Sequence, residues 1–388
     1  MGSRCLPERK AAMKIKPFAV EEWMNAWETK ADCNIAETCV DSVSMRQLFE
    51  MTGESEQAFW EKLATRRMTY GDIEGLPAFL EGICSLYTTL EPGHIIPTHG
   101  AAGANHLLIT SLVEPGDKVV SVMPTYQQLY SIPESLGAQV EILHLEKEKG
   151  YLPDLEHLAQ LAKGAKLICI NNPNNPTGAL MPESTLRQIV EIARAEGAWI
   201  LCDEVYRHLT QEDVYIPSVA DLYEKGISVS SMSKVFSLAG LRLGWIACRD
   251  AGLRKACLSH RDYSLISCGM FDEAAAALAL KHKEVLLARS RGIIRENLAI
   301  LQQWAQQEPL VDFVTPQAGT TLLLYYKAPM DSTAFAVALL QDSGTLVTPG
   351  ACFGEEGCLR IGYACDSDTL RQGLAGISRL LHKDSADK

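Results

Sequence analysis

What the sequence lacks narrows its reading first. No stretch approaches the roughly 18 apolar residues of a membrane-spanning helix, and the basic start MGSRCLPERKAAMKIK has no apolar run behind it, so neither a span nor a secretory signal is expected. The twelve cysteines lie scattered from Cys5 to Cys365, with no CxxC pair and no Cys/His group at zinc spacing. Disulfide frameworks belong mainly to short secreted chains, so these read as reduced, mostly buried thiols of a cytoplasmic protein without a metal site. Cys169 and Cys202, in strand-like runs, read as packing residues. No block of basic residues stands out: 36 Lys and Arg against 48 Asp and Glu leave a formal charge of -12. Phosphate backbones need a concentrated basic surface, so no nucleic-acid partner is expected, although a local patch can hide within an acidic total. Internal repeats and low-complexity segments are missing as well.

What is there is a globular composition, 47% hydrophobic and 22% charged, over 388 residues. At roughly 150 residues per domain, that length suggests two or three domains. Residues 1–45 read as an N-terminal tail and arm, the first dozen loose and Met13 an alternative start. From about 94 to 250 a short apolar run, a turn and an amphipathic helical stretch recur: HIIPTH, DKVVSVMPTY, AQVEILHL, AKLICINNP, AWILCDEVY, GISVSSMS and LRLGWIAC. This alternation predicts an α/β fold, with a large domain over 46–275 built on a mostly parallel central sheet flanked by helices. Residues 272–307 read as helical with a break near Gly292, giving an interdomain helix over 276–305. The strand-like VDFVTPQAGTTLLLYYK and CLRIGYAC, with a closing helix from about Ser367 to His382, predict a smaller α+β domain over 306–388, joined by part of the 14–45 segment.

Ligands of parallel sheets bind beyond the carboxyl ends of the strands, and the unusual polar residues here follow the apolar runs directly. Asn171 to Gly178 (NNPNNPTG) sets two Asn-Pro steps after a strand, which holds an amide in fixed orientation or simply makes a turn. Asp203, in LCDEVY, is a carboxylate at the end of a buried strand and needs a partner. That partner is either a following helix, which it caps, or a cationic ligand such as a protonated pyridine nitrogen. Lys234 follows SVSSMS, where burial and nearby positive charge lower an amine's pKa and make it nucleophilic towards an aldehyde; alone it reads as a surface lysine. Gly100-Ala101-Ala102 opens a helix after a strand, so its N–H groups suit a dianion or form an ordinary connection.

Taken in this order, from Met68 to Arg360, the segments resemble the signatures of the fold-type I pyridoxal-phosphate (PLP) aminotransferases, class I/II. The resemblance implies a large PLP-binding domain beside the smaller one, and a cytoplasmic homodimer that uses PLP to move an amino group between an L-amino acid and a 2-oxo acid. It gives Lys234 the Schiff base with PLP and the shuttling of the substrate's α-proton, and Asp203 the pairing with the pyridine nitrogen. Asn175 and Tyr206 take the phenolic oxygen, Asn175 also bordering the substrate, and Tyr126 stacks on the ring. Gly100, Ala101, Ala102, Ser231, Ser233 and Arg242 cradle the phosphate, Arg242 through a charge-assisted pair, and Tyr70 reaches it across a dimer interface. Arg360 grips the substrate's α-carboxylate with two parallel hydrogen bonds.

The stretch Asn34 to Ser42 departs from the Asn-Pro-Gly-like lid of typical members. With FAVEEW before it, it resembles more a branch containing capreomycidine synthase and PLP-dependent arginine oxidases. That branch implies an alternative activity: oxidation, elimination or cyclisation of an amino acid such as arginine. Glu37 or Asp41 then becomes a candidate neighbour of a cationic substrate side chain, unless both merely cap and solvate the segment. A metabolite-sensing regulator on this fold would need a DNA-binding module, and the residues before Tyr70 are too few and too acidic for one.

Overall fold

The computed structural model describes residues 14–383, so the expectations of a loose first dozen residues and of Met13 as a start lie outside the described part. All seven apolar runs form strands of one sheet. Side by side they are Ile95–His99, Leu243–Cys248, Gly226–Ser231, Trp199–Asp203, Leu167–Asn171, Lys118–Met123 and Gln139–His144. Leu243–Cys248 runs antiparallel to both neighbours, and the other pairs are parallel.

The central strands are continuously apolar because both faces are covered. Ile168, Ile170, Ile200 and Cys202 enter the core on one face, whereas Leu167, Cys169 and Leu201 enter that on the other. Cys169 and Cys202 are thus packing residues, and every cysteine among the described residues is a free thiol. Gln139–His144 at the sheet edge instead alternates between exposed and more buried positions. No helix among the described residues is long and apolar enough to cross a membrane.

A second sheet holds Thr348–Pro349, Cys358–Gly362, Thr321–Tyr326 and Val311–Asp312, all antiparallel. The helices Ser332–Ser343 and Ser367–Lys383 pack with it. Between the two sheets run the helices Met270–Lys281 and Lys283–Ala305. The expected break near Gly292 falls instead at His282, whose backbone leaves the helical region and whose Nε2 lies 2.8 Å from Glu54 Oε1. Gly292 has open space beside it on the exposed side of the helix, where glycine costs only about 1 kcal/mol.

The arm belongs to both units. Its helix Ala19–Trp27 sends Trp23 Nε1 to the Val347 carbonyl at 2.8 Å, and the strand Cys33–Asn34 pairs in parallel with Thr345–Leu346. Next, Gly362 N–H donates to the Ile35 carbonyl at 2.8 Å, and a Cβ on Gly362 would overlap the Glu37 carbonyl oxygen. Glycine at 362 therefore lets the arm lie flat on the small sheet. Replacing it, Gly362→Ala, should cost about 1–3 kcal/mol through overpacking. Thermal denaturation checks this; an unchanged melting temperature would mean that the arm does not close on this strand.

Candidate active site

The carboxyl edge of the large sheet collects the polar residues. Asn171, Asp203 and Ser231 each end one of three adjacent parallel strands, and the turn after Ser231 carries Lys234. The helix Gly100–Leu112 begins directly after the strand Ile95–His99. The arm folds across this edge and encloses a cavity of about 320 Å3. Its walls include Glu21, Glu28, Glu37, Ala101, Ala102, Tyr126, Asn175, Asp203, Tyr206, Ser231, Ser233, Lys234, Arg242 and Arg360.

Lys234 stands in the middle. Its Nζ donates to Thr38 Oγ1 at 2.6 Å, and lies 3.4 Å from Cys39 Sγ and 3.9 Å from Glu37 Oε1. Burial pulls its basicity down, but Cys39, Tyr206 and Glu37 outweigh burial and hold the amine above the usual lysine range. The expected depression is therefore corrected: in the protein alone the charge beside the amine is an acid's, not a cation's. Glu37 responds in kind. Burial would raise it, but Lys234 and hydrogen bonds from Cys39 and the Thr38 N–H bring it down to about 2.

Asp203 is 3% exposed and accepts from Asn105 Nδ2 at 3.0 Å and from the Val205 N–H at 3.2 Å. Among the described residues no cation bonds to it, and burial raises its pKa against the pull of those bonds and of Lys234. No helix follows it, only the turn at 205–208, so the helix-capping reading falls away. Opposite lies Arg360, equally buried. Its Nη1 reaches Asn175 Oδ1 at 3.3 Å, its Nη2 reaches the Ala36 carbonyl and Thr348 Oγ1 at 3.0 Å each, and its Nε has no acceptor.

Of the expected residues, Gly100 is buried and not among those lining the cavity; it holds the first position of its helix with a left-handed φ of 65°. Tyr70 lies apart, 67% exposed, its carbonyl accepting from Ser267 Oγ at 2.6 Å. The pair Glu37 and Asp41 divides: Glu37 faces Lys234, whereas Asp41 turns away to Arg289 Nη2 at 2.9 Å. Reading the sequence missed Glu21, Glu28, Thr38, Cys39 and Asn105. The first two were recoverable in part, because Val20, Glu21, Met24 and Glu28 recur at helical spacing and line one wall.

The family model for aminotransferases of class I and II matches residues 47–377. The chain belongs to the class I and II aminotransferases. This aminotransferase is similar to a solved PLP-dependent aminotransferase from Streptococcus suis, with 45% identity, a TM-score of 0.93, and coverage of 96% of this chain and 99% of that one. It is 31% identical over 293 residues to capreomycidine synthase of Streptomyces vinaceus, covering 75% of each chain. A solved PLP-dependent cyclase is 25% identical with a TM-score of 0.88, over 98% of this chain and 100% of that one.

The cofactor of the family is pyridoxal 5'-phosphate, and the residues here fit it. Asp203 lacks a cation at one end of the cavity, which a protonated ring nitrogen would supply. At the other end the N–H groups of Ala101 and Ala102 open a helix beside Ser231, Ser233 and Arg242, a cradle for a dianion. That helix start lies tight on the strand Leu243–Cys248: a Cβ on Gly244 would overlap the Gly100 carbonyl carbon. Lys234 stands between the two ends.

The buried carboxylate makes a signed prediction. A folded-state pKa above the unfolded value means that ionisation costs stability, and the cost appears as pH rises past the unfolded carboxylate range. In cofactor-free protein, Asp203→Asn should therefore melt higher than wild type at pH 8 and equally at pH 4. With cofactor the order at pH 8 should reverse. Calorimetry of both forms checks this, and a lower melting temperature for the cofactor-free variant at pH 8 would contradict it.

Proposed function

We propose that the protein transfers the amino group of an L-amino acid with a positively charged side chain to a 2-oxo acid. One observation carries the reading: the Lys234 amine shares a cavity with an unneutralised carboxylate, Asp203, and with a buried guanidinium, Arg360, that still has a free N–H. When bound, PLP supplies an aldehyde that condenses with amines and a ring that accepts the electron pair released at the substrate's Cα.

The chain's own residues do the rest. Asp203 would keep the ring nitrogen protonated, while Asn175 and Tyr206 would hold the phenolic oxygen and Tyr126 the ring face. Ala101, Ala102, Ser231, Ser233 and Arg242 would bind the phosphate beside the helix start at Gly100. Lys234 Nζ would be the base that takes the Cα proton and returns it, and Thr38 Oγ1 and Cys39 Sγ hold it in place. Arg360 would take the α-carboxylate. Val20 and Met24, from the arm helix, close the cavity on its apolar side and exclude water.

The side-chain preference rests on the arm. Glu21, Glu28 and Glu37 all line the cavity. Burial raises the pKa of Glu28, and the Glu37 and Glu21 charges raise it further against the pull of Lys234. A cationic substrate side chain relieves that repulsion. A homodimer is supported by exposed apolar side chains on two touching segments, Met68, Tyr70 and Ile73 on one and Tyr263, Ile266 and Phe271 on the other. Such an interface would offer Tyr70 to the partner's phosphate site.

Likeness to capreomycidine synthase and to a cyclase favours a second reading, in which the same carbanion chemistry ends in cyclisation, elimination or oxidation. Products separate the two. A new amino acid formed stoichiometrically from pyruvate or 2-oxoglutarate supports transfer; ammonia, peroxide or a cyclic product supports the second.

Donor assays with arginine, ornithine, alanine and aspartate test the side-chain reading. Glu28→Gln should raise KM for arginine and ornithine about tenfold with little change in kcat, and leave alanine nearly unaffected. Aspartate serving as well as arginine in the wild type would overturn it.

A further inference from the structure

A second cavity, of about 340 Å3, lies behind the wall that carries Tyr206 and Asn175. Its lining comes from the next residues along the same two turns, Arg207 and His208 after Tyr206 and Pro173 before Asn175, together with Arg291 on the helix Lys283–Ala305. None of these residues lines the active-site cavity.

Its polar groups are short of acceptors. Arg207, 5% exposed, pairs through Nε with Glu204 Oε2 at 2.9 Å and through Nη2 with the Leu86 carbonyl at 2.9 Å, but its buried Nη1 has no partner. His208 Nε2 is likewise buried without a partner. Arg291 has no hydrogen bond or ion pair among the described residues, because the one acid near it, Asp213, is tied to Arg295 at 2.6 Å. Burial and the charges of Arg207, Arg291 and Lys283 pull the His208 pKa well down, and a neutral imidazole with its proton on Nε2 would donate there without adding charge. The acids at hand, Glu204 and Asp213, are both already paired. Two guanidinium groups and an imidazole thus line a hollow with Leu180, Val214 and Ile216; Thr210 and Asp213 line it too, Asp213 held by Arg295, and Tyr215 hydrogen-bonds the Arg207 guanidinium.

Buried N–H groups without acceptors cost free energy unless something accepts from them. An oxyanion would do so, and charge-assisted bonds to a guanidinium are the strong kind. The volume suits a small organic molecule, and the apolar walls suit its carbon body. We propose that this cavity is a second ligand site, which holds the carboxylate or phosphate of a small organic anion between Arg207 Nη1, His208 Nε2 and the Arg291 guanidinium. The site is independent of the reaction assigned to the first cavity.

Titration calorimetry of the cofactor-saturated enzyme at low salt tests this, with inorganic phosphate in one arm and citrate in the other. Saturating cofactor fills the first phosphate cradle, and running Arg360→Gln beside wild type removes carboxylate binding in the active site. Binding of either anion that persists in Arg360→Gln, weakens about tenfold in Arg291→Gln and fades with added salt supports the site and says which anion it prefers. Arg291 makes no internal bond, so Arg291→Gln should keep the cofactor's absorbance; His208→Gln is the second variant, expected to weaken the same anion. If neither anion binds, or if binding is indifferent to both replacements, the proposal is wrong.

Discussion

An acidic side chain sealed at the end of a buried strand, with neutral hydrogen-bond donors but no cation, is the constraint around which the rest is arranged. Asp203 keeps its place because the sheet on either side is packed on both faces and because Asn105, from the helix Gly100–Leu112, donates to it. A carboxylate so placed is unfavourable in the protein alone. It becomes favourable when a positively charged ring lies against it. The helix start that suits a phosphate and the lysine that suits an aldehyde share the same sheet edge, so one bound group would satisfy all three at once.

The second constraint is the arm. It leaves the large unit, adds a strand beside Thr345–Leu346 and returns to lay Glu37, Thr38 and Cys39 against Lys234. The amine is therefore held by one segment and presented by another. Thr320 Oγ1 donates to the Thr38 carbonyl at 2.7 Å, and the Val40 N–H donates to the Lys234 carbonyl at 3.4 Å, so the same residues tie the small sheet to the lysine turn. The arm also brings three carboxylates, Glu21, Glu28 and Glu37, to the cavity, and on the proposed reading the preference for a substrate side chain rests on them.

Much of this was legible in the sequence, for identifiable reasons. The seven strands announce themselves because strands buried on both faces are continuous apolar runs, and residues that end such runs must lie at the ligand edge. Lys234, Asp203 and Asn175 were readable for that reason together with their order. What was not legible depends on the path of the chain in space. Thr38 and Cys39 matter only because the arm returns to a lysine far along the sequence, and nothing local separates Glu37, which faces the amine, from Asp41, which faces Arg289. The basicity of Lys234 was misjudged for the same reason, since its sign is set by those distant acids. The helix break lies at His282, not Gly292, because a single exposed glycine costs a long helix only about 1 kcal/mol and does not end it.

The account stands on one covalent attachment point. Borohydride reduction of the cofactor-loaded protein, followed by peptide mapping, tests it directly. The label is expected on the peptide carrying Lys234 and nowhere else, and Lys234→Ala is expected to take up no label and to lose turnover. A label fixed at another lysine, or turnover that survives in the alanine variant, would contradict the account.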